Sequence, residues 1–370
     1  MITAVTNTPR DYAWGSHGRI SELLGLRATD ALEAELWLGT HPGSPARVVG
    51  EHRTLTELVG GQLPFLLKVL AAGSALSLQA HPTMEQAAAG FARENALGIP
   101  LDAPHRNYKD ALHKPELIYA LSDEFEALCG FRPVAELRAL LREQLPSAVA
   151  LLDRLDGDDA VRQAVQWLLS RGEGVDELIA EVTRRADRRS PELAVVAELA
   201  ELYPGDPGIV ISLMLNHVTL RRGEALYLPA GNIHAYLKGV GIELMANSDN
   251  VLRGGLTPKH VDVPELLEVL DFRPVAVPYL RPEHPSATVE VFRPSVPDFL
   301  LAVIRDEGAY TLTGPAIALC TDGDLEIVGE ASAYALSRGD AVYLTPDEGA
   351  LSFAGLGTLF LATTGTAAAG

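Results

Sequence analysis

The chain has 370 residues, a net charge of −19, 47% hydrophobic and 21% charged residues, and two cysteines. That length allows a large core divided over two or three domains. The acidity excludes the broad basic face that binds nucleic-acid backbones, yet it leaves room for a few cations focused in one cleft. No apolar run approaches the ~20 residues of a membrane span. Residues 1–10 lack the basic end and apolar stretch of a signal peptide. Cys129 and Cys320 alone make no disulfide framework, which fits a reducing cytoplasm.

Residues 1–130 read mostly as strands and turns. Runs 34–38 and 64–70 are short, apolar and bounded by Gly and Pro, as in a β-sandwich or barrel. Segments 21–24 and 83–91 have helical character. In Gln79-Ala80-His81-Pro82 an amide oxygen and an imidazole lie two residues apart. On a strand they share a face and can reach one ion. His113-Lys114-Pro115-Glu116 then opens a β-like run, 116–121, with a carboxylate.

Between 133 and 203 the apolar period lengthens to that of a helix, in 134–142, 160–169, 175–182 and 193–200. Asp206-Pro207 reads as a further helix start, with a capping carboxylate and an early proline. The block is therefore expected to be a helical insertion, 133–204, in a β-domain spanning 1–132 and 205–270. From Gly223 the strand period returns. Pro229-Ala230-Gly231-Asn232-Ile233-His234 brings a second imidazole out of a strand through a tight turn. In 241–259 Glu243, Asp249 and Arg253 have one parity, so an extended chain lines one wall with all three. Runs 287–292 and 299–304 are β-like, and the small residues of 363–370 are expected to fray.

One echo stands out. Arg222-Gly-Glu-Ala-Leu-Tyr-Leu228 and Arg338-Gly-Asp-Ala-Val-Tyr-Leu344 match at every position, identically or conservatively, but only the first runs on to a histidine. This suggests a second, metal-free β-domain over 271–370. Patterns for ATP or dinucleotide binding are missing: there is no Gly-x-x-x-x-Gly-Lys-Ser/Thr and no Gly-x-Gly-x-x-Gly after a strand. Two imidazoles, one carboxylate and one amide oxygen (His81, His234, Glu116 and Gln79) are borderline donors that suit one zinc ion per chain.

The Gly223…Pro229-x-Gly231-x-x-His234 segment resembles the second conserved motif of the cupin superfamily, in which a strand and turn present histidine inside a small jelly-roll barrel. Four more segments fall in order around it: Tyr12-Ala-Trp-Gly-Ser16, Gly39-Thr-His-Pro42, Gln79-Ala-His-Pro82 and Asn107-Tyr-Lys-Asp-Ala-Leu-His-Lys-Pro-Glu116. The series resembles the type I phosphomannose isomerases over 1–130 and 210–275.

The resemblance implies a mainly β fold of two cupin-type jelly-roll domains with an α-helical insertion. It implies zinc bound by Gln79, His81, Glu116 and His234, and interconversion of mannose 6-phosphate and fructose 6-phosphate through a cis-enediol. Arg253 matches the family's catalytic arginine. Lys114, Glu243 and Asp249 are candidate proton carriers. Arg253 and Lys259 are the leading candidates for the phosphate, with Lys68 and Ser77 as further ones, and Tyr236 is a candidate for the sugar. His113 is a candidate for ring opening or for a supporting hydrogen bond. Where many relatives follow His-Pro with Asp-Lys, this chain has Thr83-Met84. The only partner implied is a small sugar phosphate, with no nucleic acid, membrane or obligate protein. Two rival readings stay open: a sugar-phosphate-binding cupin without catalysis, and an iron-dependent cupin oxygenase.

Overall fold

The computed structural model describes residues 1–187 and 190–365. It is mainly sheet. A ten-stranded sheet carries the sequence motifs, a nine-stranded sheet holds most of the C-terminal third, and a short two-stranded ribbon stands apart. The helices Val134–Gln144, Ala160–Leu169, Val175–Arg185 and Pro191–Leu202 form the expected block. Among the described residues no helix is long and apolar enough to cross a membrane.

The ten-stranded sheet is organised by its longest strand, His234–Ala246. It pairs with Phe65–Ala72 and Glu116–Ala120 at one end, and with Glu124–Phe131 and Leu78–Ala80 at the other. Phe65–Ala72 is buried at every position, which explains why its sequence is apolar on both faces, broken only by Lys68, rather than an alternation. The strand register shifts between Tyr236 and Lys238, and Gly239 has φ +130°. A bulge inserts one residue and so exchanges the faces of a strand. Tyr236 before the shift and Glu243 and Met245 after it therefore line the same cavity, despite opposite parity.

Cores join the layers. Leu67, Val69 and Tyr119 of one sheet and Leu319, Phe292 and Phe360 of the other share one buried cluster. The helices bury Leu141, Val165, Ile179 and Leu199 in a second cluster with Leu78, Ile233 and Leu252. The helical block is thus packed on the strand ends that flank Gln79, His234 and Arg253.

The two echoed segments occupy matching places. Ala225–Leu228 lies beside Glu116–Ala120, which lies beside His234–Ala246. Ala341–Leu344 lies beside Ala316–Val328, which lies beside Ala350–Thr363. Both triplets are antiparallel throughout.

Several expectations need correction. The first strand, Ile2–Thr6, pairs with Ala341–Leu344, and Arg47–Val48 pairs with it in turn, so both lie in the sheet of the C-terminal third. Helices Leu55–Val59 and Val263–Val269 were not read from the sequence, although each had a start signal: a Thr54/Glu57 capping box, and an Asp262 cap. Thr363 closes a strand rather than fraying, and the rest of the expected tail lies outside the described residues from 366 onward.

Phe360 is buried at the seam between the sheets. Phe360→Ala is expected to cost about 3–5 kcal/mol. Because its cluster spans both sheets, thermal melting should still show one transition. Two separate transitions would show that the seam does not couple them.

Candidate metal centre and substrate cleft

His81 follows strand Leu78–Ala80 directly, and His234 begins the long strand. Gly231, at φ +80°, donates its N–H to the His81 carbonyl at 2.9 Å, which ties the turn before His234 to the segment after Gln79. Gln79 is in register with both His234 and Arg253.

The ring orientations follow from hydrogen bonding. His81 Nδ1 lies 2.7 Å from the Asn250 carbonyl oxygen, and His234 Nδ1 lies 3.0 Å from that of Asn232. A carbonyl only accepts, so both Nδ1 atoms carry the proton and both Nε2 atoms present lone pairs. Each Nε2 stands 3.2 Å from an oxygen of Glu116. Both Nε2 atoms and Glu116 Oε2 are buried without a hydrogen-bond partner. Lone pairs set against a carboxylate repel unless a cation lies between them. The ligand atoms of His81, Glu116 and His234 are all within 4.8 Å of one another, which fits one metal ion with short N and O bonds.

Electrostatics support the same reading. Burial pushes the His81 imidazolium down to about 4, so the ring stays neutral and able to ligate. Burial opposes ionisation of Glu116, but the Lys114 ammonium at 2.8 Å leads the opposing causes, and the carboxyl is held well below the usual range.

Glu116 and Gln79 line a cavity of about 650 Å³. Arg253, Lys114, Asp249, Glu243, Lys259, Lys68, Ser77 and Tyr236, all singled out from sequence, line it too. Glu243, Asp249 and Arg253 do meet there, but not on one extended strand. The chain leaves the long strand at Ala246 and re-enters sheet at Leu252, and Asp249 lies on the linker.

Lys68 is buried in the cavity lining. Its Nζ is 2.8 Å from Glu243 and 3.2 Å from Glu35, and 5.1 Å from the Trp37 ring centre. Trp37 Nε1–H in turn donates to Glu35 at 3.0 Å. Burial disfavours the ammonium, but Glu243 and Glu35 outweigh it and hold Lys68 charged. Burial also lifts the Glu243 carboxyl above its ordinary range, against the pull of Lys68. Burial, then the Glu243 carboxylate, raises the Tyr236 hydroxyl well above its usual value, so it stays protonated.

At the rim His41 Nδ1 accepts from Gly43 N–H at 3.1 Å, which leaves Nε2–H to face Asp249 Oδ1 at 3.3 Å. Burial opposes this charge, yet the His41 hydrogen bond leads a net lowering of the Asp249 carboxyl. His113 points elsewhere, with Nε2 2.9 Å from Asp298 Oδ2, so its observed contact is a supporting hydrogen bond. Thr83, at the departure from the family pattern, caps helix Met84–Ala96. Among the described residues Arg253 and Lys259 form no ion pair, and burial lowers both, for Lys259 with a further push from Arg253.

The sequence reading missed Glu35, Trp37 and Asn250. Glu35 and Trp37 sit in an apolar run that signals only a strand. Asn250 is fully buried: its side-chain oxygen accepts from Lys109 N–H at 2.7 Å and its amide donates to the carbonyls of Asp110 and Leu112 at 2.9 and 2.8 Å. It thus anchors the segment before Lys114 while its own carbonyl orients His81.

Fold and site together define a mainly β protein built round a buried metal-binding centre in a polar cleft. The sequence model described as phosphomannose isomerase type I, catalytic domain, matches residues 2–134. The mannose-6-phosphate isomerase of Escherichia coli K12 is 36% identical over 95% of this chain and 97% of its own length. That of Homo sapiens is 33% identical over 82% of this chain and 81% of its own. A crystal structure of the Salmonella typhimurium enzyme bound to its substrate and zinc covers 99% of this chain and 100% of that one, at 34% identity and a TM-score of 0.90. The chain belongs to the type I phosphomannose isomerase (mannose-6-phosphate isomerase) family.

Asn250→Ala removes the anchor behind His81 and should weaken zinc binding about 10–100-fold in a chelator competition. Zinc affinity within a factor of about two of wild type would contradict that role. A pH effect has a definite sign. His81 titrates near 4 when folded and near 6.5 when unfolded. Between those values the unfolded chain binds the extra proton, so stability of the metal-free protein falls as pH drops through that window. His81→Asn should make the slope of Tm against pH shallower between about pH 6.5 and 4.

Proposed function

We propose that the protein interconverts mannose 6-phosphate and fructose 6-phosphate, using one zinc ion held by Gln79, His81, Glu116 and His234. One observation carries this reading: a buried donor set with two inward lone pairs, of which Glu116 also lines a cavity shared with two cations, Arg253 and Lys259, that form no ion pair among the described residues. When bound, zinc supplies positive charge that polarises the sugar's oxygens.

The chain's own groups do the rest. Arg253 and Lys259 attract the phosphate dianion, and Ser77 adds a hydroxyl. Arg253 also stabilises developing negative charge. Glu243 is the favoured proton carrier, because a carboxyl raised by burial accepts and returns a proton more readily near neutral pH. It takes the proton from C2 and returns it at C1 by way of the cis-enediol. Lys68, hydrogen-bonded to Glu243, keeps that carboxylate oriented and faces the sugar. Lys114, paired with Glu116, offers an ammonium to the enediol oxygens. Asp249 and Tyr236 contact the sugar hydroxyls.

The matching strand triplets support two related cupin-type jelly rolls, with the helical insertion at 133–204 and the catalytic unit drawn chiefly from 1–132 and 205–270. The metal-free unit is drawn from 271–370. It recruits Ile2–Thr6 and Arg47–Val48 to its sheet. Two free, buried cysteines accord with a cytoplasmic setting, and a small sugar phosphate is the only partner the site calls for.

A coupled assay of mannose 6-phosphate conversion tests the reading. Activity should vanish with chelator and return with zinc. Arg253→Ala should lose on the order of 10²–10³ in kcat/KM while keeping its zinc. Glu243→Gln should lose on the order of 10²–10⁴ in kcat. Zinc-loaded, folded protein that binds the sugar phosphate without turnover would instead mark a binding protein. Oxygen consumption with iron would mark an oxygenase.

A further inference from the structure

The wall of the cleft at Arg253–Lys259 is held in an unusual backbone conformation by a residue at the end of the helical block. Leu256 has φ +54°, a left-handed value that a branched, β-carbon-bearing side chain rarely adopts, and it is fully buried. Gly255 before it has φ +119°. The carboxylate of Asp206, at the exit of the helical block, accepts from Leu256 N–H at 2.9 Å and Thr257 N–H at 3.4 Å, and also from Gly208 N–H at 2.7 Å.

The approach is close enough to require glycine on both sides. A Cβ on Gly208 would meet Asp206 Oδ1 at 2.8 Å and Leu256 N at 2.9 Å. One on Gly255 would meet Asp206 Oδ1 at 2.9 Å and Gly208 Cα at 3.0 Å. Asp206 makes no ion pair among the described residues; its carboxylate is spent on these N–H groups. Leu256 and Thr257 themselves line the cavity between Arg253 and Lys259.

We infer that Asp206 is a positioning residue for anion binding: its carboxylate clamps the left-handed turn at Leu256 and thereby sets Arg253 and Lys259 at the spacing that receives the substrate's phosphate. The inference rests on the reading of those two cations as the phosphate site. It gives the helical block a role in recognition, because Asp206 lies at its end and its core packs under the same turn. With the clamp removed the turn relaxes to an ordinary conformation, and the two cations lose their shared aim. The metal donors come from other segments and stay in place.

Asp206→Ala, Asp206→Asn, Lys259→Ala and a stability control, Val182→Ala in the core of helix Val175–Arg185, test this in zinc-loaded protein. For each, KM and kcat for mannose 6-phosphate, inhibition by inorganic phosphate and zinc content are measured. Asp206→Ala should raise KM and weaken phosphate inhibition in parallel, by about tenfold, with kcat changed less and zinc content unchanged. Asp206→Asn keeps one acceptor oxygen for Gly208 and Leu256 and should fall between Ala and wild type, so it carries the test if the alanine variant does not fold. Val182→Ala should lower Tm but leave phosphate inhibition as it was. If both Asp206 variants are inhibited like wild type while inhibition of Lys259→Ala is weakened, the clamp is structural only and the inference fails alone. If Lys259→Ala also binds phosphate normally, the phosphate reading fails and takes the inference with it.

Discussion

Everything at the centre depends on one strand, His234–Ala246, and on the break in its pairing after Tyr236. A regular strand of that length would send His234 and Glu243 to opposite faces, because their numbers differ by an odd count. The register shift and Gly239 restore them to one side. The same ladder places Glu243 opposite Lys68, Met245 opposite Glu116 and His234 opposite Gln79. Backbone hydrogen bonds therefore set the relative positions of His234, Gln79, Glu116 and Glu243, and the side chains have little freedom left to lose.

The second constraint is charge. A chain of net charge −19 gathers Lys68, Lys114, Arg253 and Lys259 into one cavity. Two of them are neutralised by carboxylates that are themselves buried, Lys68 by Glu35 and Glu243 and Lys114 by Glu116. Such clusters are costly to dehydrate and hold together only when each member is paired. Among the described residues Arg253 and Lys259 are the exception, and they are less buried than the paired lysines. This division separates a buried interior of paired charges from a less buried wall that carries Arg253 and Lys259.

The helical block and the C-terminal sheet act through packing. The block's core continues into Leu78, Ile233 and Leu252, each one residue from Gln79, His234 or Arg253. On the far side, His113 bonds to Asp298 of the C-terminal third, next to Lys114. The site is bordered on two sides by elements that supply none of His81, Glu116 and His234.

Much was legible beforehand. The helices of 134–202 showed in their apolar period, since each buries one face. His81, Glu116 and His234, which the structure brings together as a possible metal group, showed because ligand chemistry restricts residue type and the turn at Pro229–Gly231 restricts spacing. The cavity residues were also named, but their arrangement was not. Parity put Glu243, Asp249 and Arg253 on one extended wall, whereas a linker separates them. Lys68 read as a candidate for the phosphate rather than as a partner of Glu243, and Asn250 and Glu35 carried no local signal. Sequence alone determined which chemical groups are present and which local elements form, because periodicity, caps and ligand spacing act over a few residues. Tertiary structure decided which carboxylate faces which ammonium, which ring nitrogen keeps its proton and where a bulge turns a strand over, because these depend on partners as far as 175 positions away in sequence.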